Sequence, residues 1–145
     1  MNVSRVTSLM LAISALPGLT GCYAESSVGH GGGHGANTVS VDFSLTGYAW
    51  EGYASHVPYG TEQLSVDLHN LNQDADLYVE SPDGSHGCDS LHTGTYPESC
   101  TFDYPMAGDW YVEVFGWHHD PMDYTLSISL WPADLEASLW LVDHA

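Results

Sequence analysis

The sequence predicts an all-β chain, a single jelly-roll-like β-sandwich behind a signal peptide and a flexible tether, on three observations. From Thr38 onward apolar residues recur with period two, turn-forming residues interrupt them at short intervals, and no window before residue 132 keeps a helical period. Short alternating strands must bury one face against a second sheet, and frequent turns between them favour a sandwich or jelly roll.

The expected strands run in order. Val39, Val41, Phe43 and Leu45 alternate with small or polar residues, and Tyr48 to Val57 forms a less regular strand. Leu64, Val66 and Leu68 follow, then Leu77 and Val79, then Trp110, Val112 and Val114, and finally Leu126, Ile128 and Leu130. Turn signals fall between them at Pro58-Tyr59-Gly60, Asn70 to Asp74, Pro82-Asp83-Gly84, Pro105 to Gly108 and His118 to Pro121. The domain is expected over 38–131, with 132–145 a C-terminal extension. There Leu135, Leu139 and Val142 fit one face of a short helix, the preferred reading, and Ser138 to Val142 as an edge strand is the alternative.

The N-terminus reads as a targeting segment. Met1 to Arg5 carries one positive charge, Val6 to Leu16 is an apolar run too short to span a bilayer, and Pro17-Gly18 breaks it. Leu19-Thr20-Gly21-Cys22 resembles the lipobox of bacterial lipoproteins, in which a diacylglycerol is attached to the Cys thiol before cleavage. Residues 1–21 are then a signal peptide and Cys22 carries lipid that holds the mature protein on a membrane. An ordinary secretory signal or a buried first helix is the alternative. Tyr23, where an Asp would retain such a protein at the inner membrane, points within that resemblance to the outer membrane of the cell envelope. Residues 22–37 form the tether, because Ala24 to Asn37 is poor in large apolar residues and includes His30-Gly31-Gly32-Gly33-His34. His30 and His34 are a candidate pair for a Cu, Ni or Zn ion, on a segment without preorganised geometry.

With Cys22 assigned to lipid, Cys88 and Cys100 remain, and an oxidising compartment makes a disulfide between them the expectation. Two free thiols or a two-Cys metal site is the alternative, without the CxxC spacing that favours metal.

Arg5 is the only Lys or Arg in the chain, and all 19 Asp and Glu residues lie beyond it. Nucleic acid is excluded as a partner, because neutralising phosphates needs basic side chains. Crowding so many like charges into one domain requires cations from the medium, either as diffuse screening in salty water or at a specific calcium site. Asp74 and Asp76 share a face of one strand or its approach, Asp89 lies across the following loop, and calcium is the candidate cofactor for the three. The alternative is that Asp76 caps a turn while Asp74 is solvated.

Catalytic signatures are missing: no G-x-S-x-G, no H-E-x-x-H and no Gly-rich phosphate loop. Ser55-His56 is a chance neighbour pair, and His118-His119-Asp120 reads as a solvated turn. The protein is expected not to be an enzyme. Aromatics are plentiful, and Tyr78, Tyr111, Phe115 and Trp117 fall on the strand faces opposite Leu77, Val79, Val112 and Val114. They are the candidate ligand-binding surface; packing beneath loops is the alternative.

Several blocks in order carry a family resemblance: Gln73-Asp74-Ala75-Asp76-Leu77-Tyr78-Val79, Cys88-Asp89, Glu98-Ser99-Cys100-Thr101-Phe102, Ala107-Gly108-Asp109-Trp110-Tyr111-Val112-Glu113-Val114-Phe115-Gly116-Trp117, and Tyr124-Thr125-Leu126. Together they are similar to the bacterial pre-peptidase C-terminal domain over about residues 38 to 131. The resemblance implies a jelly-roll-like sandwich of the kind appended to secreted peptidases, often removed on maturation, and in collagenase relatives able to bind calcium and substrate protein. Here a signal and a tether precede the domain where a peptidase is expected. The functional expectation is a non-enzymatic, membrane-anchored lipoprotein that binds an extracellular protein or glycan, with calcium as a possible aid. The alternatives are an acidic envelope spacer and an accessory domain for a separately encoded secreted peptidase.

Overall fold

Alternating side chains from Val39 to Leu130 need a second layer to bury against, and the chain supplies it by folding back on itself about one central turn. The computed structural model describes residues 23–27 and 35–142; Cys22, His30 and His34 lie outside the described residues. The strands are β1 (Tyr23–Ser27), β2 (Asn37–Leu45), β3 (Ala49–Val57), β4 (Gln63–His69), β5 (Ala75–Glu80), β6 (Gly87–Ser90), β7 (Glu98–Asp103), β8 (Gly108–Gly116), β9 (Met122–Trp131) and β10 (Trp140–Val142). The described residues form no helix.

Each central strand pairs antiparallel with its mirror image about the β5–β6 turn: β5 with β6, β4 with β7, β3 with β8 and β2 with β9. Such a ribbon rolled up gives two sheets, β1-β2-β9-β4-β7 and β10-β3-β8-β5-β6, and β2 to β9 follow the eight-strand jelly-roll connectivity. The all-β expectation is borne out.

The core is the set of period-two positions. Leu64, Val66, Leu68, Leu126, Ile128 and Leu130 point inward from the first sheet, and Leu77, Val79, Trp110, Val112 and Val114 meet them from the second. Near one edge Phe43 packs on Tyr53 and Tyr124, whose hydroxyls hydrogen-bond at 2.7 Å, so the polar ends of two buried rings satisfy each other.

Two boundary expectations need correction. Tyr23–Ser27, within the expected tether, pairs with β2 from Tyr23 opposite Asp42 to Ser27 opposite Thr38, and Asn37 already belongs to β2. An edge strand needs only backbone donors and acceptors to join a ladder, so the lack of large apolar residues did not prevent it. The C-terminal extension is not a short helix: Trp140–Val142 pairs with β3, from Trp140 opposite Ala54 to Val142 opposite Gly52. Leu135, Ala137, Leu139 and Leu141 pack along the core margin on the way, and the Asn37 side-chain amide donates to the Leu135 carbonyl at 2.7 Å. β6 and β7 are further strands that alternation alone did not reveal.

Cys88 of β6 and Cys100 of β7 form the expected disulfide and tie the free edges of the two sheets together. Replacing both by Ser is expected to lower the unfolding free energy by about 3 kcal/mol, since the pair closes a short loop at a sequence separation of 12. Urea unfolding of wild type and double variant measures it, and equal midpoints would contradict a structural role for the bridge.

Candidate functional site

The two outer faces of the sandwich are chemically unlike. On the first sheet the cross-strand rows read Thr38, Ser129, Ser65, Thr101 and then Ser40, Ser127, Asp67, Ser99. These small polar groups satisfy one another: Thr38 with Ser129 and Ser40 with Ser127 at 2.8 Å each, while Asp67 accepts from Ser65 at 2.8 Å and Ser99 at 2.6 Å. Hydrogen-bonding capacity on that face is largely spent within it.

On the second sheet the outward rows carry rings and carboxyl groups. Register places Trp50, Phe115 and Asp76 side by side, then Val142, Gly52, Glu113, Tyr78 and Asp89, then Trp140, Ala54, Tyr111, Glu80 and Gly87. Gly52 lacks a side chain between Glu113 and Val142, so the middle of the face is hollow. A cleft of about 410 Å³ opens there, with Tyr78 and Tyr111 as its aromatic walls, Glu80, Asp89 and Glu113 as its acids, and Gly84 and His86 of the β5–β6 turn at its rim. Its volume falls in the range of small-ligand sites.

The four aromatic candidates share this face, as strand alternation predicts. Trp50 bridges Tyr78 and Phe115 with ring centroids 5.1 and 4.7 Å away, and Trp117 stands edge-on to Phe115 at 4.7 Å. Trp50 and Tyr111 remain 50% exposed and Trp117 47%, so the rings cover one another only in part. Tyr111 stands one row further along and walls the cleft.

The three aspartates singled out for calcium are placed apart in role: two are engaged in structural hydrogen bonds and the third stands exposed. Asp76 is buried to 7% exposure and accepts from Trp117 Nε1 at 2.6 Å and from the Tyr78 hydroxyl at 3.4 Å. Asp74 accepts from the Gly94 N–H at 3.0 Å, and its carbonyl accepts from the Trp117 N–H at 3.0 Å. Asp89 stands exposed on β6 opposite Tyr78. Among the described residues no three His, Cys, Asp or Glu side chains are gathered closely enough to hold a metal ion. Burial raises the Tyr78 phenol above its ordinary value, Asp76 and Asp89 add to the effect, and the ring stays neutral near pH 7.

The comparisons with known proteins bear on the strands that build this face. Residues 53–116, from within β3 to the end of β8, are the part of the chain that a family model recognises. That stretch matches the bacterial pre-peptidase C-terminal domain. It is narrower than the 38–131 of the sequence resemblance, and it contains the disulfide, Tyr78, Tyr111, Phe115 and most of the cleft. A lipase of Bacillus licheniformis, BlEst2, solved in its propeptide form, is similar in fold at a TM-score of 0.49 and 13% identity, over 66% of this chain and 22% of that one. This chain thus spans about a fifth of that protein's length. No curated protein matches.

Within the matched stretch, Glu98 is a residue whose role the sequence did not disclose. It is fully buried, two places before Cys100, and gathers the loop that leads from β6. The Ser90 hydroxyl donates to its Oε2, His92 Nδ1 lies 2.8 Å from the same oxygen, and the His92 N–H donates to Oε1 at 2.8 Å. Ser90 bonds the carboxyl group rather than the imidazole, so the three residues do not form a nucleophile–base–acid relay.

The remaining sequence candidates separate. Ser55 points into the core opposite Trp110, while His56 points outward with Nδ1 2.7 Å from Asp109. His119 packs edge-on to Tyr48 at 4.6 Å, whereas His118 Nδ1 lies 3.6 Å from Asp120. Gly52, Glu80, His86 and Glu113 belong to the cleft and had no motif to mark them. The only local hint was Gly52 inside a strand, a signal for close approach or missing packing.

The β5–β6 turn at the rim is organised by Asp83, which accepts from the Ser81 hydroxyl at 2.9 Å and from the Ser85 N–H and hydroxyl at 3.0 and 2.6 Å. Gly84 follows at φ +72°, where a Cβ would stand 3.0 Å from Glu80 Oε1. The Ser85 and Ser81 bonds hold the Asp83 carboxyl down at about 2 from an ordinary 3.8. A depressed carboxyl group contributes its stabilisation above the unfolded value and loses it as pH falls through the folded one. The turn is therefore expected to keep its geometry at pH 4 and to loosen as pH falls through about 2. The Ser85 amide resonance should titrate with a midpoint near 2. A midpoint at the ordinary 3.8 would remove the basis for this account of the turn.

Proposed function

We propose that the protein is a non-catalytic binding module, held at the bacterial cell envelope through lipid on Cys22, whose second sheet presents its outer face to an extracellular ligand. The cleft between Tyr78 and Tyr111 carries this reading. It combines a ligand-sized hollow, exposed rings and carboxyl groups on one face, the features of a recognition site. The opposite face, a serine and threonine ladder bonded to itself, offers little comparable relief. A non-catalytic role is favoured because neither Ser55 with His56 nor Ser90 with His92 sets a hydroxyl on an imidazole, and where Ser85 and Ser127 do meet His86 and His69, at 2.8 and 2.9 Å, the Ser85 hydroxyl also bonds the Asp83 carboxyl group and Ser127 bonds Ser40 within its ladder.

The site is tested by screening the purified chain on peptide and glycan arrays and repeating the positives with Tyr111→Ala and Thr101→Ala. Tyr111→Ala is expected to weaken a specific binder roughly tenfold or more, as truncation of a central aromatic anchor does. Thr101→Ala, on the opposite face, should leave affinity unchanged. Equal loss from both variants, or no change from Tyr111→Ala, contradicts the cleft as the site.

The anchor has its own test. In bacteria fed a labelled fatty acid, the wild-type chain is expected to take up label and sediment with membranes, and Cys22→Ser to lose both properties. A Cys22→Ser chain that still carries label would refute lipidation at that thiol.

A further inference from the structure

We propose that the cleft receives a lysine or arginine side chain from a partner protein, its charged head beside Glu80 and Asp89 and its stem between Tyr78 and Tyr111. The inference rests on the binding-module reading above and names the chemistry of the ligand.

Donor and acceptor balance is the first argument. The Glu80 and Asp89 carboxyl groups, on the adjacent strands β5 and β6, line the hollow, and charged carboxylates only accept hydrogen bonds. An ammonium or guanidinium group only donates, whereas a sugar hydroxyl must both donate and accept. The lining is therefore matched to a cationic head.

Shape is the second. The hollow has a volume of about 410 Å³, and no group of side chains among the described residues is gathered closely enough to hold a metal ion. An elongated cation fits that hollow better than a bare ion. Gly52 and Val142 give the floor an apolar strip for a methylene stem, and the tyrosine rings offer faces for cation–π contact. Tyr78 remains a neutral phenol there, so its ring keeps this capacity.

Charge excludes the nearest competitors. The described residues include no Lys or Arg, so with residues 1–21 removed as a signal peptide neither the domain itself nor a second copy can fill the cleft with a strong cation. The occupant has to come from another protein. With 19 acids in the same chain, the surrounding field draws basic partners in and speeds their association.

The experiment is an NMR titration of the full chain in detergent at about 0.15 M salt, where fields from distant charges are largely screened. The probes are blocked pentapeptides Gly-Gly-X-Gly-Gly with X lysine, arginine or norleucine, and an N-acetylglucosamine tetramer as the neutral sugar. Lysine and arginine peptides are expected to shift the amides of Gly52, Gly84 and Gly87, and the norleucine peptide to shift them far less. Glu80→Gln with Asp89→Asn should weaken the lysine peptide roughly fivefold or more, the scale of two partly exposed charge contacts. Asp120→Asn with Asp134→Asn makes the same change in net charge outside the cleft lining and should alter affinity less than twofold.

Equal weakening by both double variants would overturn the proposal, since the peptide would then be following net charge. Cleft shifts with the sugar but not with lysine would overturn it while leaving a binding cleft in place. Silence of the cleft amides toward every probe would count against both the inference and the binding site on which it rests.

Discussion

A domain with no lysine or arginine must satisfy its buried carboxyl groups with neutral donors, and that constraint organises much of this structure. The buried Asp76 takes the Trp117 indole N–H, and the same kinds of donor serve acids nearer the surface: half-buried Asp74 takes a backbone N–H, half-buried Asp67 two serine hydroxyls, and exposed Asp83 a serine-rich turn. Glu98, with no exposure at all, is enclosed by Ser90 and His92. Burial without such partners would be strongly unfavourable, because a desolvated carboxylate must recover the hydrogen bonds it gives up in water. The abundance of Ser and Thr around the strands is the counterpart of the missing cations.

The same constraint separates the faces. On the first sheet outward acids take hydroxyl and amide donors from neighbouring strands: Asp42 accepts from the Thr125 hydroxyl at 2.5 Å and Asp103 from the Gln63 side-chain amide at 2.8 Å. On the second sheet aromatic rings occupy much of the outward surface and Glu80, Glu113 and Asp89 border a hollow. A jelly roll supplies this arrangement without special effort, because its antiparallel sheets alternate inward and outward residues and leave each outer face free to diverge. The disulfide and Glu98 hold the β6–β7 margin, so the sheet edge bearing Asp89 is tied to the core.

How much of this could be read in advance follows from the range of each signal. Period-two alternation is local, so Leu64 to Leu68, Val112 to Val114 and Leu126 to Leu130 were legible, as was the outward face of Tyr78, Tyr111, Phe115 and Trp117. Cross-strand register is not local. It brings Gly52, Glu113 and Tyr78 into one row from three distant segments, and nothing in any one segment marks them as neighbours. The aspartates illustrate the same limit, since spacing placed Asp74 near Asp76 correctly but could not show that Trp117 would occupy Asp76. At the C-terminus Leu135, Leu139 and Val142 fit a helical period, yet the exposed edge of β3 captured Trp140–Val142 as a strand.

The central claim is that folding here is limited by repulsion among acids that no internal strong cation relieves, while the buried carboxyl groups are held by neutral donors. Thermal unfolding across a salt series tests it most directly. Raising sodium chloride from about 0.02 M to about 0.5 M shortens the screening length from roughly 20 Å to roughly 4 Å, and should raise the Tm steadily as surface repulsion is screened. A Tm that stays flat or falls over that range would contradict the account.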